Sequence, residues 1–124
     1  MSADDVKPAL ARLVVSGLFG AGVDFDRFDW QPFREGVEMA RLYGGGDLGP
    51  TAALLRYAPG ASVPNHLHRG NEHILVLRGS QRDEEGLYEA GTLVAHGAGT
   101  RHSVSSAQGC IVLAIWCAPV EIKD

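Results

Sequence analysis

The sequence predicts an all-β fold, a barrel or sandwich of short antiparallel strands, and three observations predict it. Sixteen glycines and six prolines are spread along the whole chain of 124 residues. They cut it at intervals of roughly 8–12 residues, the rhythm of all-β domains. The apolar runs between the breaks have strand length and leave little room for long helices.

The elements follow in order. Lys7 to Phe19 fits a helical stripe through Leu10, Leu13, Val14 and Leu18, but Val14-Val15 favours extended chain, and we read it as an edge strand. The polar first eight residues, ending at Pro8, read as a frayed terminus. Strands are predicted at Val37–Tyr43, Thr51–Tyr57, His73–Leu77, Gly91–Ala95 and Cys110–Trp116. Turn chemistry separates them at Gly44–Asp47 with Gly49-Pro50, at Pro59-Gly60, Arg69–Asn71, Asp83–Gly86 and Gly97–Gly99. Neither a repeat nor a linker divides the chain, so one domain is expected over residues 1–124, with residues 1–29 as an N-terminal extension.

Composition narrows function by exclusion. Apolar residues make up 45% and charged residues 21%, and the net charge of −4 leaves no basic stripe for nucleic acid. The longest apolar run, Ile111–Val120, is ten residues and too short to span a bilayer. The N-terminus lacks the basic and apolar regions of a secretory signal, so a cytoplasmic protein is expected. Cys110 and Cys117 are expected as free thiols, small buried hydrophobes of the last strand, with a redox-sensitive Cys110 near a pocket as the alternative.

The chemistry concentrates in histidine. In an extended chain His66 and His68 share one face, about 6–7 Å apart, a spacing that suits two ligands of one metal. Arg69-Gly70-Asn71 can reverse the chain into an adjacent antiparallel strand and turn Glu72 toward them. His102 follows the Gly97–Thr100 corner, and closure of the sheet would bring it to the same interior point. The remaining histidines, His73 and His96, read as surface or supporting groups, with a pocket-rim position conceivable for His96. Arg56 and Tyr57 must face opposite sides of their strand. Trp30, Phe33 and Trp116 read as core or interface, and Asp83-Glu-Glu85 as a solvated turn that holds no metal.

The pattern Gly60-x5-His66-x-His68-x3-Glu72-x6-Gly79 resembles the first cupin motif at every defined position. Gly91-x5-Gly97-x-Gly99-x2-His102-x3-Ser106 is similar to the second, with Gly97 where the family has proline and Ser106 where it has asparagine. The resemblance runs from about Trp30 to Trp116, and the barrel region is taken as residues 30–118. Leu55–Gly60, the short link Gly79–Tyr88 and Ser105–Cys110 look like ChrR-type cupins, a group that includes the C-terminal domain of a bacterial zinc anti-sigma factor. That group has a second glutamate where this chain has His73.

The resemblance implies a jelly-roll barrel with His66, His68, Glu72 and His102 on one divalent transition metal: Zn, Fe, Mn, Ni or Cu, with Zn or Fe favoured. It implies first a small non-haem metalloenzyme (oxygenase, isomerase or lyase) with a small oxygenated ligand or substrate, and second a non-catalytic sensor or regulator. An anti-sigma factor of the ChrR kind also needs a helical zinc domain with a His-x3-Cys-x2-Cys pattern, and residues 1–30 contain neither histidine nor cysteine. A homodimer is expected from the family's habit of pairing sheet edges.

Overall fold

The structure is a computed structural model that describes residues 11–45 and 50–118 and the backbone of residues 120–122. Among these, a one-turn 3-10 helix at Phe25–Arg27 precedes ten strands. The strands are β1 (Gln31–Arg34), β2 (Val37–Tyr43), β3 (Thr51–Tyr57), β4 (Ala61–His68), β5 (Glu72–Arg82), β6 (Leu87–Glu89), β7 (Leu93–His96), β8 (Arg101–Ser106), β9 (Cys110–Trp116) and β10 (Val120–Ile122). All pair antiparallel in the order β1-β2-β3-β9-β5-β8-β4-β10, with β6 and β7 also on β5.

Strands β2, β3 and β9 coincide with the predicted runs, because alternating apolar positions bounded by turn residues mark both ends. The run at His73–Leu77 is the start of a longer strand. β5 continues through a bulge at Leu77, where Val76 faces Val112 and Arg78 faces Ile111, and so passes from one sheet into the other. Gly79 completes that bend with φ +74, and a Cβ there would collide with the carbonyl oxygen of Gly109. Gly79→Ala is therefore expected to cost about 2 kcal/mol or more, read as a lower urea midpoint at unchanged slope.

The inner core joins Val37, Met39, Ala53, Leu55, Tyr57, Ile74, Val76, Val112 and Trp116. A second cluster lies on the other face of β2, β3, β5 and β9, around Phe25, Ala40, Leu54, Leu77 and Ile111. Leu18, Val23, Phe28 and Trp30 cover it. This explains why Thr51–Leu55 is buried without alternation.

The expected edge strand at Lys7–Phe19 is not found: residues 11–19 form no strand, and residues 7–10 and the frayed terminus lie outside the described residues. The chain here uses its apolar side chains to cover the sheet rather than its backbone to extend it. The Arg27 guanidinium anchors it by donating to the Ser16 carbonyl at 2.9 Å. The turn predicted at Gly44–Pro50 lies partly outside the described residues.

Arg56 and Tyr57 do face opposite ways. Arg56 lies on the outer face over the Trp30 ring at 4.3 Å, ion-paired to Asp26 and Glu38. Tyr57 points into the barrel. Cys110 is buried and Cys117 exposed, so the expectation of two buried thiols holds for one of them. Cys117 escapes burial because β9 ends at Trp116. Burial pushes the Cys110 thiol up to about 11, which keeps it protonated and disfavours the redox-sensitive alternative.

Candidate metal centre

A bulge in β4 builds the first part of the site. Val63 faces Val104 and His66 faces His102, so Pro64 and Asn65 together oppose one residue of β8, Ser103. Proline suits this place because it has no N–H to give the ladder. The Ser103 N–H that the bulge leaves over donates instead to the Glu84 carboxylate at 3.0 Å. Glu84 thereby stands in for a strand partner, which the reading of Asp83–Glu85 as a solvated turn missed.

Glu72 reaches the histidines by a different route from the expected hairpin. β4 and β5 do not pair, and Arg69–Asn71 carries the chain across the barrel into the opposite sheet, where Glu72 sits between Trp116 of β9 and His96 of β7. The carboxylate then meets the imidazoles through the interior. His66, His68, Glu72 and His102 are all buried, and one donor atom from each lies within 4.8 Å of those of the others.

Hydrogen bonding fixes two of the imidazoles chemically. His66 Nδ1 lies 3.0 Å from the Pro64 carbonyl, which can only accept. His68 Nδ1 lies 3.0 Å from Thr100 Oγ1, whose own proton goes to the Gly97 carbonyl at 2.6 Å. In its neutral form each ring therefore carries the proton on Nδ1 and presents a lone pair at Nε2. The Trp116 indole donates to Glu72 Oε2 at 2.5 Å and holds the carboxylate in place.

What remains unsatisfied is informative. His68 Nε2 and Glu72 Oε1 are fully buried and lack a hydrogen bond, although they approach to 3.1 Å. Buried polar atoms without partners are rare and costly. A cation between them would satisfy both, so three imidazoles and one carboxylate fit a divalent transition metal in donor type as well as in arrangement.

The electrostatics agree. Burial pushes His66 below the ordinary imidazole range and, with His96 beside it, takes His102 down to about 4. Burial alone would raise Glu72, but His68, the Trp116 indole and His102 outweigh it and hold the carboxyl below its usual value. Neutral imidazoles facing a carboxylate are the protonation state that a metal requires.

Behind the cluster lies a cavity of about 30 Å³, lined by Phe33, Leu55, Tyr57, Val63, His66, Glu72, Ile74, Gln81, His102, Val104 and Trp116. Burial raises the Tyr57 hydroxyl well above its ordinary value, so it stays protonated.

Two residues read differently from the sequence now belong to this region. Trp116 is core, but it is also the partner of Glu72, which the sequence could not show because the register of β9 against β5 is a tertiary fact. Trp116→Phe is expected to keep the fold and weaken metal binding about tenfold, measured by competition with a chromophoric chelator. His96 is more than a rim residue: its ring stacks on His68 at 5.2 Å and meets His102 edge-on at 4.0 Å. His73, on the outer face of β5, takes no part.

Comparison with known proteins agrees with this geometry. The family model of the ChrR cupin-like domain matches residues 20–117. The anti-sigma-E factor ChrR of Cereibacter sphaeroides is 38% identical over 97 residues, 77% of this chain and 45% of the relative. This chain thus spans less than half the length of that relative. The crystal structure of Rhodobacter sphaeroides SigE in complex with the anti-sigma ChrR matches at 34% identity, over 75% of this chain and 50% of that one, with a TM-score of 0.66. An acetylacetone dioxygenase from Acinetobacter johnsonii matches at 14% identity over 94% of this chain and 85% of that one, with a TM-score of 0.71. That likeness shows a shared fold alone. With the matched region running from Gly20 to Cys117 and taking in both motifs and all four clustered residues, the chain belongs to the ChrR cupin-like domain family.

Proposed function

We propose that this domain holds one divalent transition metal, zinc or iron foremost, through His66, His68, Glu72 and His102, and that it reads a small ligand at the metal rather than turning over a bulky substrate. The observation that carries this reading is a buried donor set with orphaned polar atoms above a cavity of only about 30 Å³. That volume accommodates about two waters, whereas pockets for organic ligands are of order 300 Å³ or more.

When bound, the metal supplies Lewis acidity and one or two open positions. The chain's own residues do the rest. Pro64 and Thr100 hold the imidazole tautomers, Trp116 aims Glu72, and the apolar wall from Phe33 to Val104 restricts water. Tyr57 stays protonated and offers no base to a reaction. The likeness to an anti-sigma factor supports a regulatory role, with a protein partner as the output.

The enzymatic reading, which the sequence puts first, takes second place. It keeps the support of a four-residue donor set that would leave one or two positions of a bound ion open to a substrate. Oxygen consumption by iron-loaded protein over a panel of diketones, thiols and hydroxylated aromatics decides between the two: turnover establishes the enzyme. Elemental analysis of protein purified without a metal-affinity step tests the shared premise. One equivalent is expected in the native protein and less than about a tenth in His66→Ala and His102→Ala. Native protein that carries no metal and takes up none would refute the reading. The proposed homodimer is checked by light scattering, and the proposed cytoplasmic location by fractionation of cells. Among the described residues no helix is long and apolar enough to cross a membrane.

A further inference from the structure

His66 and His68 both engage Nδ1 in a hydrogen bond, but Nδ1 of His102 is fully buried and has none. His102 itself is 6% exposed. A histidine that ligates a metal ordinarily commits its other nitrogen to a carboxylate, a carbonyl or water. Outside the first set Asp83 and His96 stand beside His102, and so does Glu84, whose carboxylate is taken up by the Ser103 N–H and hydroxyl.

Asp83 follows β5 directly and is built into its turn. Its Oδ1 accepts from the backbone N–H groups of Glu85 at 2.8 Å and Gly86 at 3.0 Å, and from the Tyr88 hydroxyl at 3.0 Å. Oδ2 lies 4.0 Å from His96 Nε2, and the side chains of Asp83 and His96 are 5% and 17% exposed. Donor atoms of Asp83, His96 and His102 all fall within 4.8 Å of one another. One carboxylate oxygen is thus locked by three donors while the other is directed at a histidine, and three different segments of chain converge on the orphaned ring.

We propose that Asp83, His96 and Nδ1 of His102 form a second divalent-cation site, which shares His102 with the site proposed above and therefore rests on that reading. Two imidazoles and one carboxylate are a donor set for zinc, copper or iron. With Nε2 on the first ion, the second ion replaces the Nδ1 proton, which passes to the buffer, and the imidazole becomes a bridge between two cations. The second ion binds more weakly than the first, because it must displace that proton and has one ligand fewer.

Calorimetry and native mass spectrometry of the metal-stripped full chain, titrated with Zn(II) and then with Cu(II), test this. Two equivalents are expected, the second at least tenfold weaker and accompanied by release of about one proton, read from the dependence of the heat on buffer ionisation. In the doubly copper-loaded protein, coupling through the bridging ring should remove the mononuclear paramagnetic signal. Asp83→Asn and His96→Gln should each lose the second equivalent and keep the first. Saturation of the wild type at one equivalent, or a second equivalent that survives both substitutions, overturns the proposal. Saturation at one leaves the first site standing, whereas zero equivalents overturns both. The wild-type stoichiometry decides the matter even if a variant fails to fold.

Discussion

Chelation of the native protein is expected to lower its Tm by about 12–20 °C. An ion that binds only the folded chain stabilises it by RT ln(1 + [M]/Kd), about 4 kcal/mol when the free ion is at a thousand times Kd. For a chain of this size each kcal/mol is worth roughly 3–5 °C. Part of that free energy is the satisfaction of His68 Nε2 and Glu72 Oε1, which are buried and without a hydrogen bond when no ion is bound. Calorimetric scans with and without chelator, followed by re-addition of Zn(II), measure the effect. Restored Tm on re-addition is the expected result, and a Tm indifferent to both steps would refute metal binding at this cluster.

Acidification is expected to destabilise the metal-free protein in two successive windows. His102 is held neutral down to about 4, chiefly by burial and then by His96, whereas in the unfolded chain it titrates near 6.5. Between those values the unfolded chain binds a proton that the folded chain refuses. Stability from this group is therefore present above pH 6.5 and falls as pH drops toward 4, by about 3 kcal/mol. His66 is lowered by burial and acts in the same sense.

Glu72 adds to the loss lower down. Its folded value lies below 4.5, so its contribution is present above 4.5 and disappears as pH falls through the lowered value. Urea midpoints from pH 7.5 to 4 should fall steadily in the wild type and less steeply in His102→Asn. A flat profile would mean that the imidazoles are charged or solvated. Added Zn(II) should flatten the upper part of the curve, since the ion holds the same nitrogens against protons.

The fold was legible where one strand's own pattern suffices. Val37–Tyr43, Thr51–Tyr57 and Cys110–Trp116 alternate or run apolar between turn residues, and they appear as strands with those bounds. It was illegible where the backbone departs from regular pairing. The Leu77 bulge that lengthens β5 and the Pro64 bulge in β4 leave no periodic signal. The stretch Leu18–Trp30 carries apolar residues for covering a sheet, and composition does not distinguish that from pairing with one.

The sequence by itself determined the pairing of His66 with His68. His66 and His68 are two apart on one extended segment, and local geometry then puts them on one face whatever surrounds them. Tertiary structure alone decided what joins that pair and what aims the cluster. It brought Glu72 across the barrel instead of around a hairpin, placed Trp116 on its second oxygen, left Nδ1 of His102 without a hydrogen bond, and gathered Asp83 and His96 beside that ring. The reason is physical: a side chain's direction along one strand follows from the period of the backbone, whereas the partner it meets depends on register and closure between strands distant in sequence.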